Sequence, residues 1–459
     1  MPNEPEIVFK RKITQNLLKW KNEIKGEKSL LIEGAGRIGK SVIAEQFAKE
    51  NYKSYILIDF NVAPGSIKDL FHKYLNDLNT FFMFLSALTG VTLYERESLI
   101  VFDEIQKFPK AREAIKYLVQ DGRYDYIETG SLISIKDNVK DITLPSEERK
   151  IRMYPLDFEE FLWALGEENL ANYIRLCYER KEPLERNLHE KAMLLFQQYI
   201  LVGGMPKPLC KFILDGKKFE RCDDEKRDIL ATYRDDIAKI DGKYRAKVET
   251  IFDAIPGFLS SHEKRVKLDS ADSGGRYPSY SETFFWLQDS MICNECFACN
   301  DPSVGLSLNE SRSALKCYMG DTGLLVSHTF QKSELTSEKV YERILLGKLS
   351  FNKGMLYENV IAQMLTSKGY KLYFYNHYDA KSNKSDIEID FLLSNGSKTD
   401  PRIIPIEVKS SKNYATTSLN LFSQKFSTRI DVKIIIHPKP YRVREDGVIC
   451  IPAYMSFLL

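Results

Sequence analysis

The sequence predicts an α/β protein: an N-terminal parallel sheet covered by helices on both faces, then a helical stretch, then a second α/β portion. Three observations predict it. Short apolar runs at Ser29–Ile32, Tyr55–Phe60, Ser98–Phe102 and Tyr126–Thr129 are separated by helix-like stretches, the pattern of strands in a parallel sheet. From about residue 157 the strand-like runs give way to helical periodicity. In the last 120 or so residues short strand-like runs return. At about 150 residues per domain, a chain of 459 residues has room for about three domains.

Taken in order, residues 10–26 surround Leu17, Leu18 and Trp20 with lysines and read as an amphipathic helix. The apolar stretch Phe81–Tyr94 is shorter than the roughly 20 residues of a membrane-spanning helix, so it reads as a buried helix. Asp157–Leu165, Leu170–Glu179 and Leu188–Leu201 read as successive helices, broken by the turn Val202–Pro206, with 226–261 helical again. Ser270–Pro278 is a Gly/Ser-rich loop, Tyr280–Leu287 a short helix, and Met291–Ala298 a β-ribbon. Helices followed by a ribbon suit a small winged-helix-like unit over 236–330. The remainder, 331–459, places a helix at Leu356–Leu365 and strands at Leu372–Tyr375, Glu388–Leu393, Ile403–Val408 and Val432–Ile436.

The first strand runs into Gly34-Ala35-Gly36-Arg37-Ile38-Gly39-Lys40-Ser41, which fits GxxxxGK[ST] at every fixed position and opens a helix. Glycines let backbone N–H groups curl around phosphates, and the helix N-terminus adds positive potential. Lys40 reaches the β- and γ-phosphates, and the Ser41 hydroxyl ligates Mg²⁺. The ligands expected are therefore ATP and Mg²⁺. Leu99–Glu104 supplies two acids at a strand's C-terminal edge, where ligands bind in open α/β sheets. Asp103 is the expected Mg²⁺ partner and Glu104 the residue that polarises the attacking water. Thr129 and Ser131, at the end of the next strand, are candidates for sensing the γ-phosphate. Arg149 and Arg152 are placed where a charge-stabilising arginine could sit, although surface arginines are common.

The motifs GAGRIGKS, LIVFDEIQ, ETGSLISI, MYPLDFEEFLWAL, YILVGGMP, CYMGDTGLL and IEVKSS occur in this order, and in them the chain resembles a group of prokaryotic AAA-type ATPases. In that group an ATPase domain is fused to a C-terminal region of unknown function. The resemblance implies an ATPase core over 1–156 and a helical lid over 157–235, with ATP and Mg²⁺ as ligands.

A second constellation lies near the C-terminal end: Glu358 on a helix, Asp390 at a strand start, and Glu407 with Lys409 two apart on another strand. Residues two apart on a strand share a face, so these groups could hold Mg²⁺ beside a lysine. The arrangement is similar to the PD-(D/E)xK nuclease superfamily, with Ile389 where proline is usual. That resemblance implies a nuclease-like fold over 331–459, with Asp390, Glu407 and Glu358 as metal ligands. Asp390, Glu407 and Lys409 would be its catalytic groups, and Lys409 would activate water.

Other signals are discounted. Cys293, Cys296 and Cys299 form CxxCxxC, with Cys317 near, but no second CxxC or histidine completes a zinc set. The run His262–Lys267 is basic, yet charged runs are usually solvated. Eight cysteines are few for the length, and no apolar signal core opens the chain, so a cytoplasmic protein with reduced thiols is expected. Sixty-six basic against 64 acidic residues leave a net charge of +2, which neither favours nor excludes nucleic acid. Three readings follow. One is an ATPase coupled to a nuclease-like module that acts on or binds DNA or RNA. The second is a signalling or interaction ATPase with a protein partner, whose nuclease-like part is an inactive scaffold. The third is a metal-dependent nuclease merely regulated by ATP. An arginine supplied in trans would make the chain a homo-oligomer; no membrane partner is expected.

Overall fold

The structure is a computed structural model that describes residues 7–131, 145–240, 242–261, 264–266, 280–302, 305–330, 338–345, 352–379, 384–396 and 401–459. The chain forms two compact units. The first is Met1–Tyr154 with the short segment Asp289–Met291; the second is Pro155–Gln288 with Ile292–Leu459.

The first unit is built on a five-stranded parallel sheet of β1 (Ser29–Glu33), β2 (Ser54–Asp59), β3 (Ser98–Asp103), β4 (Asp125–Gly130) and β5 (Glu148–Arg152), in the order β2-β3-β4-β1-β5. The continuous apolar runs anticipated this, because strands buried on both faces need no alternation. β3 and β4 are buried along their whole length. The edge strand β5 was not expected: its sequence, Glu-Arg-Lys-Ile-Arg, is charged and half exposed. Pairing with β1 makes it a strand, a tertiary effect that propensity does not register. One core cluster gathers Phe60, Phe71, Phe81, Phe102 and Tyr126. The apolar stretch at 81–94 forms a helix over Leu78–Thr89, but it buries only one face: Phe81, Phe82 and Leu85 are buried, whereas Met83 and Leu88 are exposed.

The second unit begins with helices Phe158–Ala164, Glu168–Arg180, Arg186–Val202, Pro206–Leu214, Glu220–Ala238 and Gly242–Ser260. The first starts in a capping box, with Asp157 and Glu160 each accepting from the other's backbone N–H. The unit's sheet has eight strands: β6 (Cys293–Cys299), β7 (Glu310–Met319), β8 (Leu372–Asp379), β9 (Lys384–Gly396), β10 (Pro401–Val408), β11 (Ile434–His437), β12 (Arg442–Val443) and β13 (Ile449–Pro452), in the order β12-β13-β11-β10-β9-β8-β6-β7.

The winged-helix expectation needs correcting here. The expected ribbon exists as the antiparallel pair β6–β7, but β6 also pairs in parallel with β8, matching Cys296 to Leu372 and Phe297 to Tyr373. The ribbon is therefore one side of the large sheet, and not the wing of a separate small unit. Sequence spacing cannot foresee this, because a parallel partner lies some 70 residues further on. The loop Ser270–Pro278 lies outside the described residues, as do His262, Glu263 and Lys267 of the basic run.

Two of the motifs that carried the family resemblance prove to be one structural joint. Asp321, fully buried, accepts hydrogen bonds from the backbone N–H of Gly204 (2.6 Å) and Leu324 (3.0 Å), and from Gln363 Nε2 (3.3 Å). Gly203 has φ +83°, and a Cβ there would lie 2.2 Å from Asp321 Oδ1. The glycine pair in YILVGGMP thus makes room for the aspartate of CYMGDTGLL. No helix among the described residues is long and apolar enough to cross a membrane.

Candidate functional site

β1 ends directly in the phosphate loop, and the following helix starts at Lys40 with no side-chain cap on Gly39, whose φ is +90°. A glycine is required at that backbone conformation. A Cβ on Gly34 would lie 2.6 Å from the Met153 carbonyl oxygen, so the loop's entry is packed too tightly for a side chain. Lys40 folds back over the loop and donates to the carbonyls of Gly34 (3.1 Å) and Ala35 (2.8 Å). Burial pushes the pKa of its ammonium down, against the opposing pull of Glu104 and Asp103.

Parallel pairing sets Phe102 opposite Glu128 and Glu33 opposite Gly130. The end of β4 therefore lies between the phosphate loop and the Asp103–Glu104 pair. Ser41 Oγ donates to Asp103 Oδ1 at 2.7 Å, and the Thr129 hydroxyl donates to the same oxygen. Thr129 Oγ1 also accepts from the Glu104 backbone N–H at 3.2 Å. Glu104 sits at φ +53°, in the left-handed region that non-glycine residues seldom adopt. Such strain, of order 1–3 kcal/mol, concentrates at functional sites. The neighbouring Gln106, itself buried, donates Nε2 to Glu104 Oε2. Gln106 was overlooked in the sequence; its signal was a lone amide in an apolar turn just after the acid pair. Lys40, Ser41, Asp103, Glu104 and Thr129 are thus brought together. Ser131 follows β4 at the edge of the described segment. Arg149 and Arg152 lie exposed on β5, with Arg152 electrostatically linked to Glu33.

On one face of this sheet lies a second charged group. Arg112, fully buried, makes a two-point contact with Glu148 (3.0 and 3.2 Å). Ser29 Oγ donates to the adjacent Glu128 at 2.9 Å. Burial, and after it Glu148, push the Glu128 carboxyl up to about 8.

In the second unit the four expected groups converge, but not alone. Lys316, on β7 and fully buried, holds its Nζ 3.2 Å from Glu388, 3.8 Å from Asp390 and 3.8 Å from Glu358. Lys264 forms an ion pair with the other oxygen of Glu358, and Tyr318 OH donates to Glu358 at 3.3 Å. The Val408 backbone N–H donates to Asp390 at 2.8 Å, and Lys409 lies 2.8 Å from Glu407. Burial works against the Lys316 ammonium, yet Glu358, Glu388 and Asp390 hold its pKa above the ordinary lysine value. Burial raises the Glu407 carboxyl, opposed by Lys409; it raises Glu358 too, reinforced by Asp390 and opposed by Lys316 and Lys264. Among the described residues no three His, Cys, Asp or Glu side chains are grouped so as to hold a metal ion. The metal-ligand expectation for Glu358, Asp390 and Glu407 thus meets a cluster whose acids already face three lysines, Lys264, Lys316 and Lys409. Lys316 escaped the sequence reading although it is the single charge within Ala-Leu-Lys-Cys-Tyr-Met.

The cysteine spacing is resolved by strand geometry. Cys293 and Cys296, three apart on β6, point to opposite faces; register pairs Cys317 with Glu295, on the Cys293 side, and Lys316 with Cys296. Cys293, Cys296, Cys299 and Cys317 are all buried free thiols.

Comparisons with known proteins divide the chain in three. Residues 26–162 match the family described as "AAA domain". Residues 193–335 and 353–455 match two domains of unknown function, DUF8612 and DUF4143. No curated protein matches. Among solved structures, the Thermotoga maritima RuvB Holliday junction branch migration motor is similar at 12% identity over 43% of this chain and 77% of that one, with a TM-score of 0.24. PCH-2 of C. elegans is similar at 14% identity over 35% of this chain and 44% of that one, with a TM-score of 0.19. A likeness that slight carries no weight for fold or activity. The family match and the phosphate loop agree: residues 26–162 are similar to the AAA domain family and carry a complete GxxxxGK[ST] loop, which together support ATP binding there.

Proposed function

We propose that the N-terminal domain hydrolyses ATP with Mg²⁺ at the loop Gly34–Ser41. The observation that carries this reading is the hydrogen-bonded set Ser41–Asp103–Thr129 beside Lys40 and Glu104. Its oxygens suit a hard divalent cation: the Ser41 hydroxyl and the Asp103 carboxylate already face one another at 2.7 Å. The cation would neutralise charge on the β- and γ-phosphates. Lys40, freed from the loop carbonyls, binds the same phosphates, and Glu104 orients and polarises the water. Phosphate release by the full chain, with and without Mg²⁺, tests the reading. Lys40→Ala is expected to lower turnover by on the order of 10²-fold or more, as loss of one preorganised transition-state donor does. Turnover equal to wild type would sink it.

Two readings concern the second unit. The convergence of Glu358, Asp390, Glu407 and Lys409 supports a nuclease-like module that acts on DNA or RNA, with ATP turnover moving or gating it. The lysines seated on these acids favour the alternative, an interaction switch with an inactive nuclease-like scaffold. Full chain incubated with DNA or RNA and Mg²⁺ or Mn²⁺ separates them. Nicking that disappears in both Asp390→Ala and Lys409→Ala establishes the nuclease. No nicking by wild type, with ATP turnover indifferent to nucleic acid, leaves the switch.

A further inference from the structure

The carboxylate cluster of the second unit has its own cation. We infer that the Lys316 ammonium occupies the place among Glu358, Glu388 and Asp390 that a divalent ion would take, so that the native cluster excludes metal. This inference rests on the switch reading and is independent of the ATP site.

The geometry is specific. A Mg²⁺ ion needs carboxylate oxygens converging at about 2.0–2.1 Å and gives up its water shell reluctantly. Here the point towards which Glu358, Glu388 and Asp390 turn is filled by Nζ, at 3.2–3.8 Å from each, the spacing of ion pairs to an ammonium. Lys316 is fully buried, with its Nζ 5.1 Å from the centre of the Phe374 ring. Further acceptor sites are engaged by Lys264 and Tyr318 on Glu358, and by the Val408 N–H on Asp390. Glu407, a buried acid expected as a ligand, faces Lys409. A metal entering this cluster would have to expel a lysine into an apolar interior, which leaves one buried charge unpaired for each one gained.

The arrangement reads as a cation site closed by substitution. A strand of the same sheet supplies a permanent monovalent charge in place of an exchangeable divalent one. It holds the helix of Glu358 and strand β9 together without dependence on metal supply.

Mn²⁺ titration of the nucleotide-free full chain, followed by electron paramagnetic resonance, tests this. Wild type is expected to show no saturable Mn²⁺ site that Asp390→Asn removes. Lys316→Met, which keeps an unbranched apolar stem but ends one atom short of the ammonium, is expected to gain about one Mn²⁺ per chain, lost again in Lys316→Met with Asp390→Asn. A wild-type Mn²⁺ site abolished by Asp390→Asn overturns the inference, as does a folded Lys316→Met that gains none. Should Lys316→Met not fold, the comparison of wild type with Asp390→Asn still decides. Failure of the switch reading would appear instead as metal-dependent nicking of DNA or RNA, which this titration does not measure.

Discussion

Glu104→Gln is expected to bind ATP as wild type does and to turn it over about 10²- to 10⁴-fold more slowly, the range for loss of a positioned general base. Glutamine keeps the shape of the side chain but cannot accept a proton or polarise water as a carboxylate does. The groups that hold phosphate and cation — Lys40, Ser41 and Asp103 — remain in place, with Thr129 still bridging Asp103 to the backbone of residue 104. A fall in kcat with unchanged ATP affinity is the signature of an interaction made only in the transition state. Equilibrium binding of a fluorescent ATP analogue beside steady-state phosphate release makes the separation. Loss of binding would mean that Glu104 is part of the nucleotide cradle; unchanged kcat would mean that another group activates the water.

Arg112→Met is expected to destabilise the first unit by about 3–5 kcal/mol, the usual result of removing one partner of a buried ion pair. Neither partner reaches solvent: the Arg112 and Glu148 side chains are 0% and 2% exposed. Without the guanidinium, Glu148 keeps only the half-exposed Lys150, 3.6 Å away, and faces Glu128 in the interior. The loss should also grow with pH. Glu128, held up to about 8 chiefly by burial, binds a proton in the folded protein over a range in which the unfolded chain has released it. Its contribution to stability is therefore fully present below the ordinary carboxyl range, about 4.5, and is lost as pH rises towards 8. Arg112 opposes that rise, so its removal hurts most once Glu128 is ionised. Denaturant unfolding at pH 6 and pH 8 reads both effects. A loss below about 1 kcal/mol at both values would show that the pair is not the structural anchor of this face.

Local patterns made the first unit legible. The phosphate loop needs residues in fixed order, glycines at set backbone conformations and a lysine and serine opening a helix, so eight consecutive letters encode it. Strands β1, β3 and β4 showed as apolar runs because both of their faces are covered, and β2 showed as one although only Ile56 and Ile58 are buried. Asp103 and Glu104 were legible because an acid pair after four apolar residues marks a strand's C-terminal edge. β5 was not, because its charged sequence becomes a strand only by pairing with β1.

The second unit shows where sequence reading stops. Its helices were visible as periodicity, and its acids as isolated residues worth grouping. The parallel pairing of β6 with β8 was invisible, because nothing local in a strand names a partner some 70 residues away. The meaning of the acids was hidden for the same reason. Glu358, Asp390 and Glu407 in a row of letters are candidate metal ligands. Whether they meet a metal or a lysine depends on which side chain the sheet carries into their midst, and that residue, Lys316, belongs to a segment that sequence alone assigned to another unit. By itself, then, the sequence determined a P-loop ATP site, since its chemistry is contiguous. Only the tertiary structure decided the character of the C-terminal cluster, since charges brought together from five separate segments have no signature in any one of them.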